Sequence, residues 1–205
     1  METKMKKMKP LFNCVFFLSL LTSGHAYSQQ IGDSTCGSLL LVSSWFNNNV
    51  KIYDGCSGDY IRDLDNMARL NGPQAILELP DGDILVVSEG TNQLVRYDRE
   101  TLSTGTVVLS DFVEKPVGAI LDDNNQLYVV SYQENSVLKV DTQSWEVSDT
   151  ILAANNGIIN GADAGIALEN NILYIPGYDS DNIITVNVTN RKTSTLVSSG
   201  SSGLD

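Results

Sequence analysis

Aromatic and acidic side chains recur along this chain in short segments that directly follow apolar stretches. Aromatic rings can stack on a sugar or a peptide, and a carboxylate beside them can accept hydrogen bonds or balance a bound cation. These residue types therefore predict a surface that binds a ligand. The candidate ligand-binding residues are Trp45, Phe46, Glu89, Tyr132, Glu134, Tyr178, Asp179 and Asp181.

The first 28 residues have the pattern of a secretory signal peptide. Four lysines precede an apolar run over residues 11–21, and Ala26 and Ser28 supply the small residues of a cleavage site. The run is short for a membrane helix, and no other stretch approaches the required length. We therefore expect residues 29–205 to form a secreted or periplasmic protein with no membrane span.

Catalytic chemistry is restricted because the only histidine, His25, lies in this leader. A Ser-His-Asp triad, a Cys-His pair and histidine-ligated metal sites all need an imidazole that residues 29–205 lack. We predict no catalytic residue and no cofactor. Calcium or another divalent cation, held by carboxylate and amide oxygens, is the alternative that the composition leaves open.

The charge of the chain limits its partners. Removing the leader takes away four of the 13 basic residues and one of the 25 acidic ones, which leaves a net charge of −15. Such a surface repels nucleic acid and anionic membranes. The expected partner is a protein or a small ligand, and the sequence does not identify it.

One segment occurs four times, at residues 44–54, 88–98, 131–141 and 177–187, and it carries all the candidate binding residues. The segments start 44, 43 and 46 positions apart. A period in the forties, built from short strands, predicts the blades of an all-β β-propeller.

The clearest repeat unit spans residues 72–109. A Gly-Pro pair opens it, an Asp-Gly pair marks its first hairpin, and an apolar run predicts a central strand that is covered on both faces. The next units run from 115 to 152 and from 161 to 197. In the clearest unit the predicted strands are residues 72–79, 84–88, 94–98 and 106–109.

Two polar positions recur once per unit. One ends the third strand, where a side-chain oxygen suits an Asx turn. The other lies in the loop before that strand, and it is predicted to serve the turn rather than a ligand. The first set is Asp54, Asp98, Asp141 and Asn187, and the second is Asn48, Asn92, Asn135 and Asp181.

Two cysteines remain after removal of the leader. If residues 40–44 pair with residues 49–54 across a four-residue loop, Cys36 and Cys56 lie opposite each other within one residue. An exported protein folds under oxidising conditions that favour a disulfide. We predict a Cys36–Cys56 disulfide, with two free thiols as the alternative.

These units, above all GPQAILELPDGDILVVSEGTNQLVRYD, resemble the NHL, SMP-30/gluconolactonase-like and YVTN repeats. The resemblance covers nearly all of residues 29–205. It implies a ring of six or seven blades, of which about four are present, so we expect a chain that is truncated at its C-terminus. Some members of these families are lactonases or lyases, and many are interaction platforms.

In propellers, the loops between the second and third strands gather on one face, which is the usual binding site. We expect this loop face to bind a protein or a small ligand. The alternative is a divalent-metal-dependent lactonase or hydrolase of the SMP-30-like kind. Its candidate metal ligands are Glu89, Glu134, Asp163 and Asp181. The lack of histidine favours binding over catalysis.

Overall fold

The computed structural model describes residues 37–201 and the backbone of residues 15–16. The described chain forms four sheets, and each contains four antiparallel strands in sequence order. We call these sheets blades 1 to 4. Blade 1 consists of β1 (Val15–Phe16), β2 (Leu39–Ser44), β3 (Asn49–Asp54) and β4 (Tyr60–Asp63). Blade 2 consists of β5 (Pro73–Glu78), β6 (Ile84–Ser88), β7 (Gln93–Tyr97) and β8 (Gly105–Ser110).

Blade 3 consists of β9 (Pro116–Leu121), β10 (Leu127–Ser131), β11 (Ser136–Asp141) and β12 (Glu146–Leu152). Blade 4 consists of β13 (Ala167–Glu169), β14 (Ile172–Gly177), β15 (Asn182–Asn187) and β16 (Thr193–Val197). Two single-turn 3₁₀ helices, η1 (Trp45–Asn47) and η2 (Glu89–Thr91), follow the second strands of blades 1 and 2. The predicted all-β propeller architecture is confirmed.

The core consists of three apolar clusters, and each lies between consecutive blades. Strands β6 and β10 are buried along their whole length because they have a neighbour on both faces. Each fully buried Leu, Ile or Val contributes roughly 1.5–3 kcal/mol relative to exposure. The blades therefore stabilise one another, as stacked repeat units do.

The hairpin of blade 1 has the register that the sequence predicts. Leu40 pairs with Tyr53, and Ser44 pairs with Asn49. Cys56, just beyond this ladder, is disulfide-bonded. Its predicted partner Cys36 lies outside the described residues, so that pairing stays a prediction.

Blade 1 receives its first strand from the predicted leader. Val15 and Phe16 pair with Val42 and Leu41 on the edge of β2. The other residues up to position 36 lie outside the described part of the chain. The signal peptide therefore stays a prediction.

The first strand of blade 4 comes later than the repeat pattern predicts. Ala162 makes one bridge to Gly177, but the continuous strand begins only at Ala167. Between them, Ile166 N–H donates to the Ala164 carbonyl at 2.8 Å, which is a tight turn within the chain and interrupts the ladder. The turn does not lengthen the unit, since Ala162 precedes Gly177 by the same number of residues as Pro73 precedes Ser88; the longer spacing before the fourth segment arises between β12 and Ala162.

The four predicted Asx turns are all present. In each blade, the side-chain oxygen accepts the backbone N–H groups two and three residues further on, at 2.7–3.0 Å. These backbone donors stabilise the charged form of the carboxylates and hold the pKa values of Asp98 and Asp141 below the usual range. The turn residues are Asp54, Asp98, Asp141 and Asn187.

Candidate functional site

The loops between second and third strands form the loop face, and each contains one residue with left-handed backbone geometry. Asn48, Asn92 and Asn135 have φ angles of 52°, 54° and 57°, and Asp181 has a φ angle of 48°. Asn and Asp adopt this conformation more readily than most residues. The prediction that this position serves the turn is confirmed.

The same asparagines also connect each blade to the next one. The side-chain oxygen of Asn48 accepts the Gly72 N–H at 3.0 Å, and that of Asn92 accepts the Lys115 N–H at 2.9 Å. Asn135 accepts the Ala162 N–H at 3.2 Å. Sequence reasoning missed this role. The signal for it was the recurrence of the amide 23 to 27 residues before the start of the next blade.

A serine hydroxyl makes a second contact that recurs on this face. Ser88 Oγ donates to the Asn71 carbonyl at 3.2 Å, and Ser131 Oγ donates to the Glu114 carbonyl at 2.5 Å. Blade 4 has Gly177 at this position, and a Cβ there would collide with the Ser180 hydroxyl. Ser180 Oγ accepts the Asn160 N–H at 2.9 Å, as Ser88 Oγ accepts the Asn71 N–H at 3.0 Å, and its own proton is closest to Asn182 Oδ1, at 2.7 Å. A different residue therefore supplies the hydroxyl contact in blade 4.

The structure brings Trp45 and Glu89 together across the boundary of blades 1 and 2. Trp45 Nε1 donates to Glu89 Oε2 at 2.7 Å, and Gln74 Nε2 donates to the same oxygen at 2.9 Å. The indole lies against Gly72, where a Cβ would be 2.7 Å from Nε1. These contacts fix the orientation of the indole, although 44% of Trp45 stays exposed.

Phe46 adds a second ring to this group. Its ring packs edge to face against Trp45 with centroids 5.0 Å apart, and 68% of the residue is exposed. We call Trp45, Phe46 and Glu89 the first patch. It offers an apolar ring beside a carboxylate that is already oriented by two donors.

A second aromatic and acidic group spans blades 3 and 4. Tyr132 Oη donates to Asp179 Oδ2 at 2.8 Å, and Lys115 Nζ lies 6.0 Å from the centre of the Tyr132 ring. Burial and the neighbouring Asp179 carboxylate raise the pKa of Tyr132 to about 12. Tyr178, beside Asp179 in the chain, is 39% exposed. We call Tyr132, Tyr178 and Asp179 the second patch.

The remaining two candidates lie outside these patches. Glu134 Oε1 accepts the Glu114 N–H at 3.0 Å, so this carboxylate holds the segment between blades 2 and 3. The Asp181 carboxylate is exposed and accepts no hydrogen bond from the described residues. Glu134 therefore contributes to the scaffold, whereas Asp181 is accessible.

The carboxylates of this face are distributed over several blades. Within residues 37–201, no three His, Cys, Asp or Glu side chains form a group that could hold a metal ion. No described helix is both long and apolar enough to cross a membrane.

No family model and no curated protein matches this chain. A solved structure of virginiamycin B lyase from Staphylococcus aureus is similar with a TM-score of 0.60 and 14% identity, over 79% of this chain and 53% of the lyase. The extracellular domain of a hybrid two component system from B. thetaiotaomicron has a TM-score of 0.58 and 12% identity, over 79% of this chain and 23% of that one.

A chain of a nidogen/laminin complex has a TM-score of 0.52 and 10% identity, over 77% of this chain and 74% of that one. Identities this low show the fold alone. The chain spans about half the length of the lyase. Its four stacked blades and these neighbours place it among the β-propeller repeat proteins.

Proposed function

We propose that this protein is an exported propeller module that binds a protein or a small ligand through the first patch. The observation that carries the proposal is the exposure of Phe46, 68% of which is open to solvent, on a Trp45 ring fixed by Glu89. Burying a Phe side chain contributes roughly 1.5–3 kcal/mol. A ligand that covers Phe46 gains this energy without reordering the patch.

The chemistry of the patch suits a ligand that combines an apolar face with hydrogen-bond donors. The carboxylate of Glu89 accepts such donors, and the two rings offer apolar contact. Propeller neighbours include a lyase and a chain from a nidogen/laminin complex, so this fold accommodates both chemistry and protein contacts. The exposed, fixed aromatic pair favours binding.

Export and family membership belong to the same proposal. The basic and apolar leader and the net charge of −15 of residues 29–205 support a secreted or periplasmic location. The disulfide at Cys56 agrees with an oxidising compartment. The repeat pattern supports membership of the NHL, SMP-30-like or YVTN propellers.

The proposal is tested by selecting ligands from a displayed peptide library and a glycan array. Phe46→Ala removes the exposed ring without removing a described hydrogen bond, and Leu196→Ala removes a side chain of comparable exposure from the outermost strand of blade 4. We expect Phe46→Ala to lose the selected ligands and Leu196→Ala to keep them. An unchanged set of ligands for Phe46→Ala contradicts the proposal.

A further inference from the structure

The exposed large apolar side chains of the described residues occur in two places. The outermost strand of each blade carries one of them. The others lie in the loop face, at Trp45, Phe46 and Tyr178, or in the segments that lead into the first strand of the next blade, at Met67 and Ile158. Among the described residues, the turns at the opposite ends of the strands carry none. The loop face therefore has the apolar surface that is available to a partner.

The loop face is also acidic. Its four loops contain four carboxylates and neither Lys nor Arg. The ion pairs that the described residues form lie outside these loops. The negative charge of the face is thus not balanced by a described Lys or Arg. The carboxylates are Glu89, Glu134, Asp179 and Asp181.

Glu89 combines this charge with a fixed aromatic pair. Its Oε2 accepts Trp45 Nε1 at 2.7 Å and Gln74 Nε2 at 2.9 Å. Both donors are neutral, so they orient the carboxylate without cancelling its charge. Trp45 also packs edge to face against Phe46, with ring centroids 5.0 Å apart. The carboxylate and the exposed Phe46 ring contact the same indole, which keeps both within reach of one arginine or lysine side chain.

The second patch differs because it already has a cation from the chain. Lys115 Nζ lies 6.0 Å from the centre of the Tyr132 ring, and Tyr132 Oη donates to Asp179 Oδ2 at 2.8 Å. The first patch, which is built from contacts between described residues of blades 1 and 2, has no described Lys or Arg paired with Glu89. A cationic ligand is therefore better suited to the first patch than to the second.

We propose that the first patch binds a basic segment of a partner protein, in which an arginine or lysine lies against Phe46 and Trp45 and pairs with Glu89. Apolar residues beside that cation cover the exposed rings. A cation is attracted to the face of an aromatic ring within about 6 Å of its centre, and the attraction grows when the partner excludes water. The net charge of −12 of the whole chain increases the rate at which a basic partner approaches. A neutral or acidic segment gains none of these interactions.

This inference rests on the proposed function, because it uses the same patch and adds the charge and the class of the ligand. Binding that depends on Phe46 supports the proposed function whatever the charge of the ligand. Only a cation that depends on Glu89 supports the inference. The two ideas therefore fail separately.

The first experiment selects peptides from a random displayed library on the unaltered protein at low salt. We expect the peptides that Phe46→Ala loses to carry an arginine or lysine beside apolar residues. Each selected peptide is then synthesised with glutamine in place of its basic residue, and isothermal titration calorimetry gives both affinities. We expect the glutamine peptide to bind about fivefold or more weakly.

Glu89→Gln removes the charge and keeps an oxygen that can accept the bonds from Trp45 and Gln74. Near-ultraviolet circular dichroism checks that the indole stays in place. We expect this variant to bind the basic peptide about fivefold or more weakly than the unaltered protein at low salt. The difference should fall below about twofold at about 1 M salt, where charges are screened within about 3 Å.

Glu146→Gln, at an exposed position on β12, is the matched control because it removes the same charge away from the patch. It should change the affinity less than about twofold. Combining Glu89→Gln with the glutamine peptide should cost no more than either change alone, because both remove the same pair.

Four results overturn the inference. Phe46-dependent peptides or glycans with no preference for a cation would do so and would leave the proposed function standing. Equal losses for Glu89→Gln and Glu146→Gln would indicate attraction by overall charge alone. Additive losses for Glu89→Gln and the glutamine peptide would place the cation elsewhere. A library and a glycan array that yield no Phe46-dependent ligand would overturn the proposed function as well.

Discussion

The two patches of the loop face contain the same type of hydrogen bond between blades but differ in the exposure of their second aromatic ring. In both, an aromatic side chain donates to a carboxylate of the following blade, Trp45 to Glu89 and Tyr132 to Asp179. The first patch adds Phe46, which is 68% exposed, whereas the exposed ring of the second patch, Tyr178, is 39% exposed. The shared bond joins blades in both patches, so the patches differ in how far the additional ring is exposed, and the more exposed Phe46 marks the first patch as the binding surface.

The largest expected effect concerns the glycine beneath the first patch. Gly72 has a φ angle of 58°, and a Cβ there would lie 2.7 Å from Trp45 Nε1. Gly72→Ala combines left-handed backbone strain of about 1–2 kcal/mol with loss of a hydrogen bond of about 1 kcal/mol. We expect urea unfolding to show a loss of about 2–3 kcal/mol in the free energy of unfolding.

Gly157 provides the matched control for this substitution. It has a φ angle of 76°, and no atom lies within 4 Å of its missing Cβ. Gly157→Ala should therefore show only the backbone strain, about 1–2 kcal/mol. Equal losses for the two variants would refute the packing of Trp45 against Gly72.

The ionisation of Tyr132 provides a test of the contact between Tyr132 and Asp179 in the second patch. Burial and the Asp179 carboxylate raise its pKa to about 12, above the value of about 10 for a free tyrosine. The neutral phenol is thus favoured by folding, and its stabilisation is complete below pH 10 and is lost as the pH rises towards 12. Ultraviolet titration of Asp179→Asn should move one tyrosine to a lower pKa, and Tyr132→Phe should remove that transition. A titration curve unaltered by Asp179→Asn would contradict the contact.

The smallest expected effect is on the stability of the protein in acid. It follows from the difference between the turns that carry Asp and the one that carries Asn. The pKa of Asp98 lies below its usual value because backbone N–H groups stabilise the carboxylate. Its contribution is present above the pKa of the unfolded chain and is lost as the pH falls through the folded pKa. Asn187 makes the same turn without titrating. We expect Asp98→Asn to reduce slightly the loss of stability in acid, measured by thermal unfolding between pH 5 and pH 2. A steeper loss would be inconsistent with this origin.

The repeats predicted the strands and the Asx turns because both depend on local chemistry. An Asp at a strand end accepts bonds from residues two and three positions away, so the residue type and its position suffice. The register of the blade 1 hairpin followed from loop length in the same way. The late start of β13 was missed because a turn within residues 162–167 leaves no distinctive residue pattern.

The contacts between blades could not be derived in this way. Trp45 and Glu89 are 44 residues apart, and Tyr132 and Asp179 are 47 apart. Each contact depends on how two blades stack, which repeat spacing does not specify. Ser180 shows the same difficulty, since it replaces the missing hydroxyl at Gly177 from another position in the loop.

The most direct test of the difference between the patches compares Phe46→Ala with Tyr178→Ala in binding a ligand selected on the unaltered protein. Isothermal titration calorimetry gives the affinity of each variant. Loss of an aromatic contact worth about 1.4 kcal/mol or more corresponds to at least about a tenfold loss in affinity. We expect that loss for Phe46→Ala and less than about a twofold change for Tyr178→Ala. A large loss for Tyr178→Ala with none for Phe46→Ala would contradict the account.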